Sequence, residues 1–491
     1  MRAERVGHLR IVSMAHPHYD VNIGIEVHVQ LTTKSKIFCS CPNNPDSEPN
    51  TNICMVCTGQ PGSLPVLNRR VVEDGIRAGI ATASQIAPTS EFARKHYFYP
   101  DLPKNYQITQ ADKPICTEGS VVIRTESGSK KIRLTRIHIE EDAGKNIHAA
   151  HHNETLVDLN RAGTPLLEIV SYPDIESAEE AKAYLKMLRA TVMYLGICSG
   201  SMEEGALRAD TNISVRPKGR AQLGTKVELK NINSFKFIGD AIEYEIARQI
   251  ELIERGEKVK QETRLWDTKE RKSVLMRSKE EAADYKYFPD PDLPLLHVDA
   301  ALIESVRATI PELPAQRFER YCAEGLTPYA AEILVDDQAV AEYFEAARAH
   351  TKSALLINWI LKDLLGYIND KKIAIDQCRV TPEILAELVN LIEEGTINNR
   401  VASELFVRIA ESGGSPRAIV EAEGLKQVRD TGALLKLVAE IIAANPKQVA
   451  DYKAGKDKLF GFFVGQAMAK TRGTADPKLL DELIRAALKN S

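Results

Sequence analysis

The sequence predicts an α+β protein: a mixed N-terminal domain around an antiparallel, cradle-like sheet, then an all-helical domain and a small helical tail. Two observations carry this. Up to about residue 300, short runs alternate apolar and polar residues, the period-2 signature of strands with one buried face. From "IPELPAQRFERY" onward, short helical patterns take over, separated by Pro, Gly and Asn. The 491 residues suffice for two or three domains, and 44% hydrophobic with 27% charged residues is an ordinary globular balance.

The elements follow in order. Residues 1–20 lack the apolar core of a signal peptide and read as a disordered extension. "NIGIEVHVQL" sets Ile23, Ile25, Val27, Val29 and Leu31 on one face, and Asn22, Gly24, Glu26, His28 and Gln30 on the other. "ALRADTNISVR" places Leu207, Ala209, Thr211, Ile213 and Val215 against Arg208, Asp210, Asn212, Ser214 and Arg216. "TKVELK" sets Val227 and Leu229 against Lys226, Glu228 and Lys230. "SAEEAKAYLKMLRATVMYLG" opens on a capping box, Ser177 with Glu180, and carries a stripe of Ala181, Tyr184, Leu185, Leu188, Val192 and Leu195. "FIGDAIEYEIARQIELIERG" repeats the pattern with Ile238, Ala241, Ile242, Ile246 and Ile253. A boundary is expected near residue 310, and a second where Gly413, Gly414 and Pro416 interrupt the helices. The expected domains are therefore 21–310, 311–423 and 424–491.

Charge adds a hint about partners. The net charge is −4, yet residues 424–491 hold twelve Lys/Arg against seven Asp/Glu. A basic tail suggests a polyanionic partner, or simply a solvated helical surface. No apolar run reaches the ~20 residues a membrane helix needs, so the expected compartment is the cytoplasm.

The chemistry concentrates in two sets. "RIHIEEDAGK" places Glu140, Glu141 and Asp142 in a row; Arg136, His138 and Glu140 share a strand face, as do Glu26 and His28. Glu168 in "TPLLEIVS" lies in a largely buried strand, where a carboxylate needs a cation or hydrogen-bonding partner. Carboxylates with an imidazole suit a hard divalent ion such as Mg²⁺; the plainer alternative is surface carboxylates paired with Lys and Arg. No P-loop pattern occurs. Arg208, Asp210, Asn212, Lys226 and Lys230 could hold phosphates, or form an ion-paired sheet surface. The second set, Cys39, Cys41, Cys54 and Cys57 in a loop over 39–57, reads as C-x-C and C-x-x-C with twelve residues between. Four thiolates favour a closed, structural Zn²⁺ site; free thiols or a redox pair at Cys54 and Cys57 are the alternatives.

The series "IGIEVHVQL", "PGSLPVLN", "RKHYFYPDLPKNYQITQ", "RIHIEEDAGK", "VDLNRAGTPLLEIVS", "MEEGALRADTNISVR", "GTKVELKNINSF", "QETRLWD", "DYKYFPDPDLP" and "GFFVGQAMAKTRG" resembles the B subunits of aspartyl/glutamyl-tRNA(Asn/Gln) amidotransferases, from about residue 21 to the end. The resemblance implies a ligase that activates the side-chain carboxylate of Glu-tRNA(Gln) or Asp-tRNA(Asn) with ATP. Ammonia, released from glutamine by a separate amidase (glutaminase) subunit, then displaces phosphate, and a small third subunit wraps the other two. Aminoacyl-tRNA synthetases are further candidate partners. Carried over by motif, Glu26, His28, Glu141 and Glu168 are implied Mg²⁺ ligands, and Glu140 supports them or lines the channel mouth. Lys104 is implied on the ammonia path, and the cysteines place the chain in the zinc-bearing branch. The C-terminal part is implied to bind tRNA by shape, with Lys470 and Arg472 as contacts. Lys286 stands where the family often has Arg. The second reading is a non-catalytic, tRNA-holding scaffold.

Overall fold

The computed structural model describes residues 16–148, 154–278, 285–427, 431–471 and 473–490. The chain divides into two compact units, 1–323 and 324–491. The sequence pattern changes near 310, but the helix Pro314–Ala323 still belongs to the first unit.

The first unit is built on a ten-stranded sheet. Its labelled strands and the helices around them are β1 (Tyr19–Gln30), α1 (Arg69–Ala81), β2 (Ala93–His96), β3 (Tyr106–Thr109), β4 (Gly128–Glu141), β5 (Pro165–Ser171), α2 (Ala178–Tyr194), β6 (Leu207–Pro217), β7 (Val227–Lys230), α3 (Phe235–Glu254), β8 (Glu262–Asp267), β9 (Lys272–Ser278) and β10 (Lys286–Pro289). The sheet runs β9-β8-β7-β6-β1-β5-β4 and continues through the short strands Cys116–Thr117 and Gln85–Ile86. Pairing is antiparallel except between β7 and β8. A smaller sheet, β10-β2-β3, forms beside it.

The alternation expected of β1 is realised. Ile23, Ile25, Val27 and Val29 are fully buried, and Ile137, Ile139, Leu167, Ile169 and Ile213 extend the same core. α2 starts at the expected Ser177 cap, whose hydroxyl accepts from the Glu180 N–H, and its expected stripe joins this core. In α3 the apolar stripe is only part of the buried face. Glu245 and Gln249 are completely buried, against the usual tendency of such side chains. Gln249 donates to Ile213 O (3.1 Å) and accepts from Val215 N–H (3.0 Å), so one amide serves two backbone groups of β6. Arg248 compensates Glu245 at 2.7 Å.

The second unit is helical, as expected. Thr327, Thr381 and Ser415 cap helices that open on Pro328, Pro382 and Pro416, where a missing N–H costs nothing. Towards its end, Leu434, Val438, Ile441, Phe463, Leu480, Ile484 and Leu488 form a separate cluster. Among the described residues, no helix is long and apolar enough to cross a membrane.

Ile169→Ala removes a fully buried side chain from β5, with apolar neighbours that can only partly close the gap. We expect it to lower the unfolding free energy by about 2–5 kcal/mol, read from the denaturant midpoint at unchanged slope. A loss below about 1 kcal/mol would show that the β1–β5–β4 core tolerates the cavity.

Candidate active site and metal centres

The polar face of the sheet is organised by register. His28 on β1 lies opposite Glu168 on β5, and Glu168 lies opposite His138 on β4. Two residues along, Leu166 pairs with Glu140. Same-face neighbours in a ladder approach closely, and here four side chains converge. His28 Nε2 lies 3.4 Å from Glu140 Oε1 and 3.4 Å from Glu168 Oε2. His138 Nε2 lies 3.2 Å from Glu168 Oε2 and 3.6 Å from Glu140 Oε2. Thr109 on β3 donates to Glu140 Oε2 at 3.2 Å.

Burial alone would push both carboxyls up, but the two imidazoles outweigh it and hold Glu140 and Glu168 below the usual range. Reciprocally, burial pulls the imidazoles down, and the carboxylates more than reverse this. His138 Nδ1 is buried without a hydrogen-bond partner among the described residues. One donor atom each from His28, Glu140 and Glu168 lies within 4.8 Å of the others, a set that could hold a cation. Two carboxylates with one imidazole match the preference of a hard divalent ion.

The three consecutive carboxylates thus part company. Glu140 faces the histidines. Glu141 pairs with Lys104 and accepts from the Ile108 N–H at 2.8 Å, while its own carbonyl accepts from Gln107 Nε2 at 2.7 Å. Asp142 accepts from Arg208 at 2.8 Å, with Arg161 at 3.6 Å. Each has its own cationic partner, and so adjacent like charges are tolerated.

Of the four residues implied as ligands of one ion, the structure brings together His28 and Glu168, with Glu140 as the third member in place of Glu141. Where β4 ends, the Glu141 carboxylate meets Lys104 and the β3 backbone rather than the histidines. Glu26 is on the histidine face but two residues along, accepting from Asn212 at 3.0 Å. Burial, then Glu168, Glu228 and Asp210, raise its carboxyl above the ordinary range. Sequence reasoning gives His138 no role, although period-2 alternation already puts it on one face with Glu140.

Of the candidate phosphate-binding residues, Asp210 accepts from Lys230 (2.6 Å), which also approaches Glu228 (3.1 Å). Lys226 is exposed just before β7. Arg208 and Asp210 line a cleft of about 450 Å³ with Lys145, Arg161, Glu203 and Asn231. Lys470 is an exposed residue at the end of the helix Phe460–Lys470, and Arg472 lies outside the described residues.

The four loop cysteines do converge. Their sulfurs lie within 4.8 Å of one another and could hold a metal such as zinc. Cys54 N–H donates to Cys57 Sγ at 3.1 Å. The fully buried Lys36 donates to Asn52 O (2.9 Å) and lies 3.8 Å from Cys57 Sγ. A hydrogen bond from Cys39, against the cost of burial and with help from Lys36, pulls the Cys57 thiol down to about 5.

Comparison with known proteins shows the family. Residues 21–304 match the family described as the GatB/GatE catalytic domain, and 342–488 match the GatB domain. The B subunit of aspartyl/glutamyl-tRNA(Asn/Gln) amidotransferase from Syntrophotalea carbinolica is 52% identical over 472 residues, covering 96% of this chain and 98% of that protein. The protein of the same name from Gloeothece citriformis is 51% identical over 484 residues, covering 96% and 98%. That from Geotalea uraniireducens is 52% identical over 471 residues, covering 95% and 98%.

Lys104→Met strands the Glu141 carboxylate, whose side chain is 3% exposed. The expected cost is about 3–5 kcal/mol of unfolding free energy. Adding Glu141→Gln should recover much of it, because a carboxamide still accepts from the Ile108 N–H without needing a cation. Denaturation of both singles and the double measures the coupling; strictly additive losses would show that the pair does not interact.

Proposed function

The chain belongs to the GatB family and is the B subunit of a tRNA-dependent amidotransferase, a carbon–nitrogen ligase with glutamine as nitrogen donor; we propose that its His28–Glu140–Glu168 cleft activates the substrate carboxylate. The substrate is Glu-tRNA(Gln), Asp-tRNA(Asn) or both. An oxygen of the aminoacyl side-chain carboxylate attacks the γ-phosphorus of ATP; ADP leaves and an acyl phosphate forms. Ammonia attacks the acyl carbon, phosphate leaves and the amide remains, with one proton passing to solvent or a nearby base.

The observation that carries this is the convergence of His28, Glu140 and Glu168 on one face, with one donor atom of each within 4.8 Å of the others. Attacking group and triphosphate are both anionic, and Mg²⁺ held by these three residues would supply the offsetting charge. Thr109 and His138 orient the Glu140 and Glu168 carboxylates. Glu26 supports the cluster from one step along β1. Arg208, Asp210, Lys226 and Lys230 line the approach for the nucleotide. Lys104 and Glu141, a buried ion pair beside Glu140, form a polar lining along which ammonia arrives. The ammonia comes from the amidase (glutaminase) subunit. A small third subunit of the heterotrimer and aminoacyl-tRNA synthetases complete the set of partners. The four cysteines would hold a structural zinc ion. The basic tail, residues 424–491 with Lys470 and Arg472, contacts the tRNA backbone.

In the assembled complex with Glu-tRNA(Gln), Glu168→Gln is expected to reduce ATP-dependent activation by at least about 100-fold, on the scale of losses at metal-site residues, while glutamine hydrolysis persists. Unchanged tRNA-stimulated ATP hydrolysis would favour the scaffold reading; loss of both activities would indicate a damaged fold.

Elemental analysis of the purified protein should find about one zinc per chain, the stoichiometry of a four-cysteine site. Cys54→Ser should lower the melting temperature more than it lowers activity in the cold. A metal-free wild type of undiminished stability would remove the structural zinc ion from this account.

A further inference from the structure

The small β10-β2-β3 sheet has two unlike faces. On one, Arg94 lies over the Tyr106 ring (4.3 Å) and His96 stacks on Phe288 (4.5 Å); Arg94 is fixed by Asp290 and Asp292, each at 2.8 Å. The other carries Lys95, with Tyr287 and Gln107 directly opposite it on the neighbouring strands. Tyr97 and Tyr285 flank this second face: the Lys95 ammonium lies 4.8 Å from the Tyr285 ring centre and 5.9 Å from that of Tyr97.

This second face leads into the carboxylate cluster. Tyr97 donates to Gln107 Oε1 (3.4 Å), Gln107 donates to Glu141 O (2.7 Å), and Thr109, next on the same face, donates to Glu140 (3.2 Å). Its outer end is open. Tyr287 is 46% exposed, and beside Tyr97 the chain continues into Phe98 and Tyr99, at 78% and 60%. Among the described residues, Lys95 makes no ion pair, although Glu140 and Glu168 lie near enough to favour its charge over the penalty of burial. An exposed Tyr287 and the half-buried Tyr97 and Tyr285 around a spare cation, ending at an acid-activating cleft, suit a ligand with flat rings, an anionic backbone and a carboxylate at its tip.

We infer that the face formed by Lys95, Tyr97, Tyr285 and Tyr287 is a stacking shelf for the unpaired 3′-terminal nucleotides of the aminoacyl-tRNA, with the terminal base on the tyrosines and a backbone phosphate near Lys95. The inference rests on the function proposed above, because only that reaction brings an esterified 3′ end to Glu140 and Glu168. Aromatic rings accept any base by stacking, worth about 1–3 kcal/mol per base, and a lysine between them answers the phosphate charge. The shelf would thus hold the end of the RNA while the aminoacyl group reaches into the cleft.

The test is a binding cycle on the assembled complex with uncharged tRNA and no ATP. Intact tRNA is compared with tRNA lacking its terminal adenosine, for wild type, Tyr287→Leu and Tyr287→Phe. Wild type and Tyr287→Phe should each lose about tenfold in affinity on truncation, within the range of one stacked base. Tyr287→Leu should lose about the same with intact tRNA and little more on truncation. Additive losses, or a wild type indifferent to truncation, would overturn the shelf. So would failure of Tyr287→Leu to co-purify with the glutaminase partner, which would make this face a protein interface. Because no chemistry is involved, a failure here is distinct from a failure of the activation cleft, which the Glu168→Gln experiment reports.

Discussion

The first unit depends on one cross-strand ladder, His28 opposite Glu168 opposite His138, with Glu140 closing the group from the next pair. Two carboxylates brought this close in a buried site repel one another and lose their hydration. The ladder solves both problems by alternating acid and imidazole across three strands. Since side-chain direction has a period of two, slipping β1 by one residue would turn His28 into the core and bring Val27 or Val29 to the cluster. The apolar residues on the reverse face, all fully buried between α2, α3 and the sheet, exclude that slip. Hydrophobic patterning on one side therefore fixes the electrostatics of the other.

Much of this is legible in the sequence, because alternation is a local property. The faces of β1 and β6, the Ser177 cap, the helical texture of the second unit and the cysteine spacing all follow from short-range pattern. The polar face of "RIHIEEDAGK" does too, including His138 beside Glu140. Which segment meets which is a different matter. Family resemblance groups Glu141 with the metal ligands, yet it meets Lys104 and the β3 backbone, segments more than thirty residues away. Only pairing across the sheet decides that. Gln249 and Glu245 escape sequence reasoning for a related reason. A helical stripe drawn from apolar residues skips polar side chains whose partners lie on another element, here the backbone of β6.

Charge compensation recurs throughout the first unit. Glu141 with Lys104, Asp142 with Arg208, Asp210 with Lys230 and Glu245 with Arg248 are all partly or fully buried pairs. Such pairs contribute little net stability compared with apolar substitutes, but losing one partner is costly. They therefore act mainly as constraints on geometry. Around the cleft they hold acidic and basic groups at fixed separations before any ligand arrives, which lowers the reorganisation needed when charge moves.

Lys36 carries this logic into the cysteine loop. Its stem is enclosed by protein, and its ammonium has the Asn52 carbonyl and the Cys57 sulfur for company. Four thiolates around a divalent ion leave an excess of negative charge, and Lys36 stands where part of that excess falls. The dependence also runs backwards. If such an ion left, Cys39 and Cys41 would take up protons, while the Cys57 sulfur would stay a thiolate beside the Lys36 ammonium. Because Lys36 follows closely on the chain from β1, that buried pair would keep the root of the central strand anchored while the rest of the cysteine loop slackens.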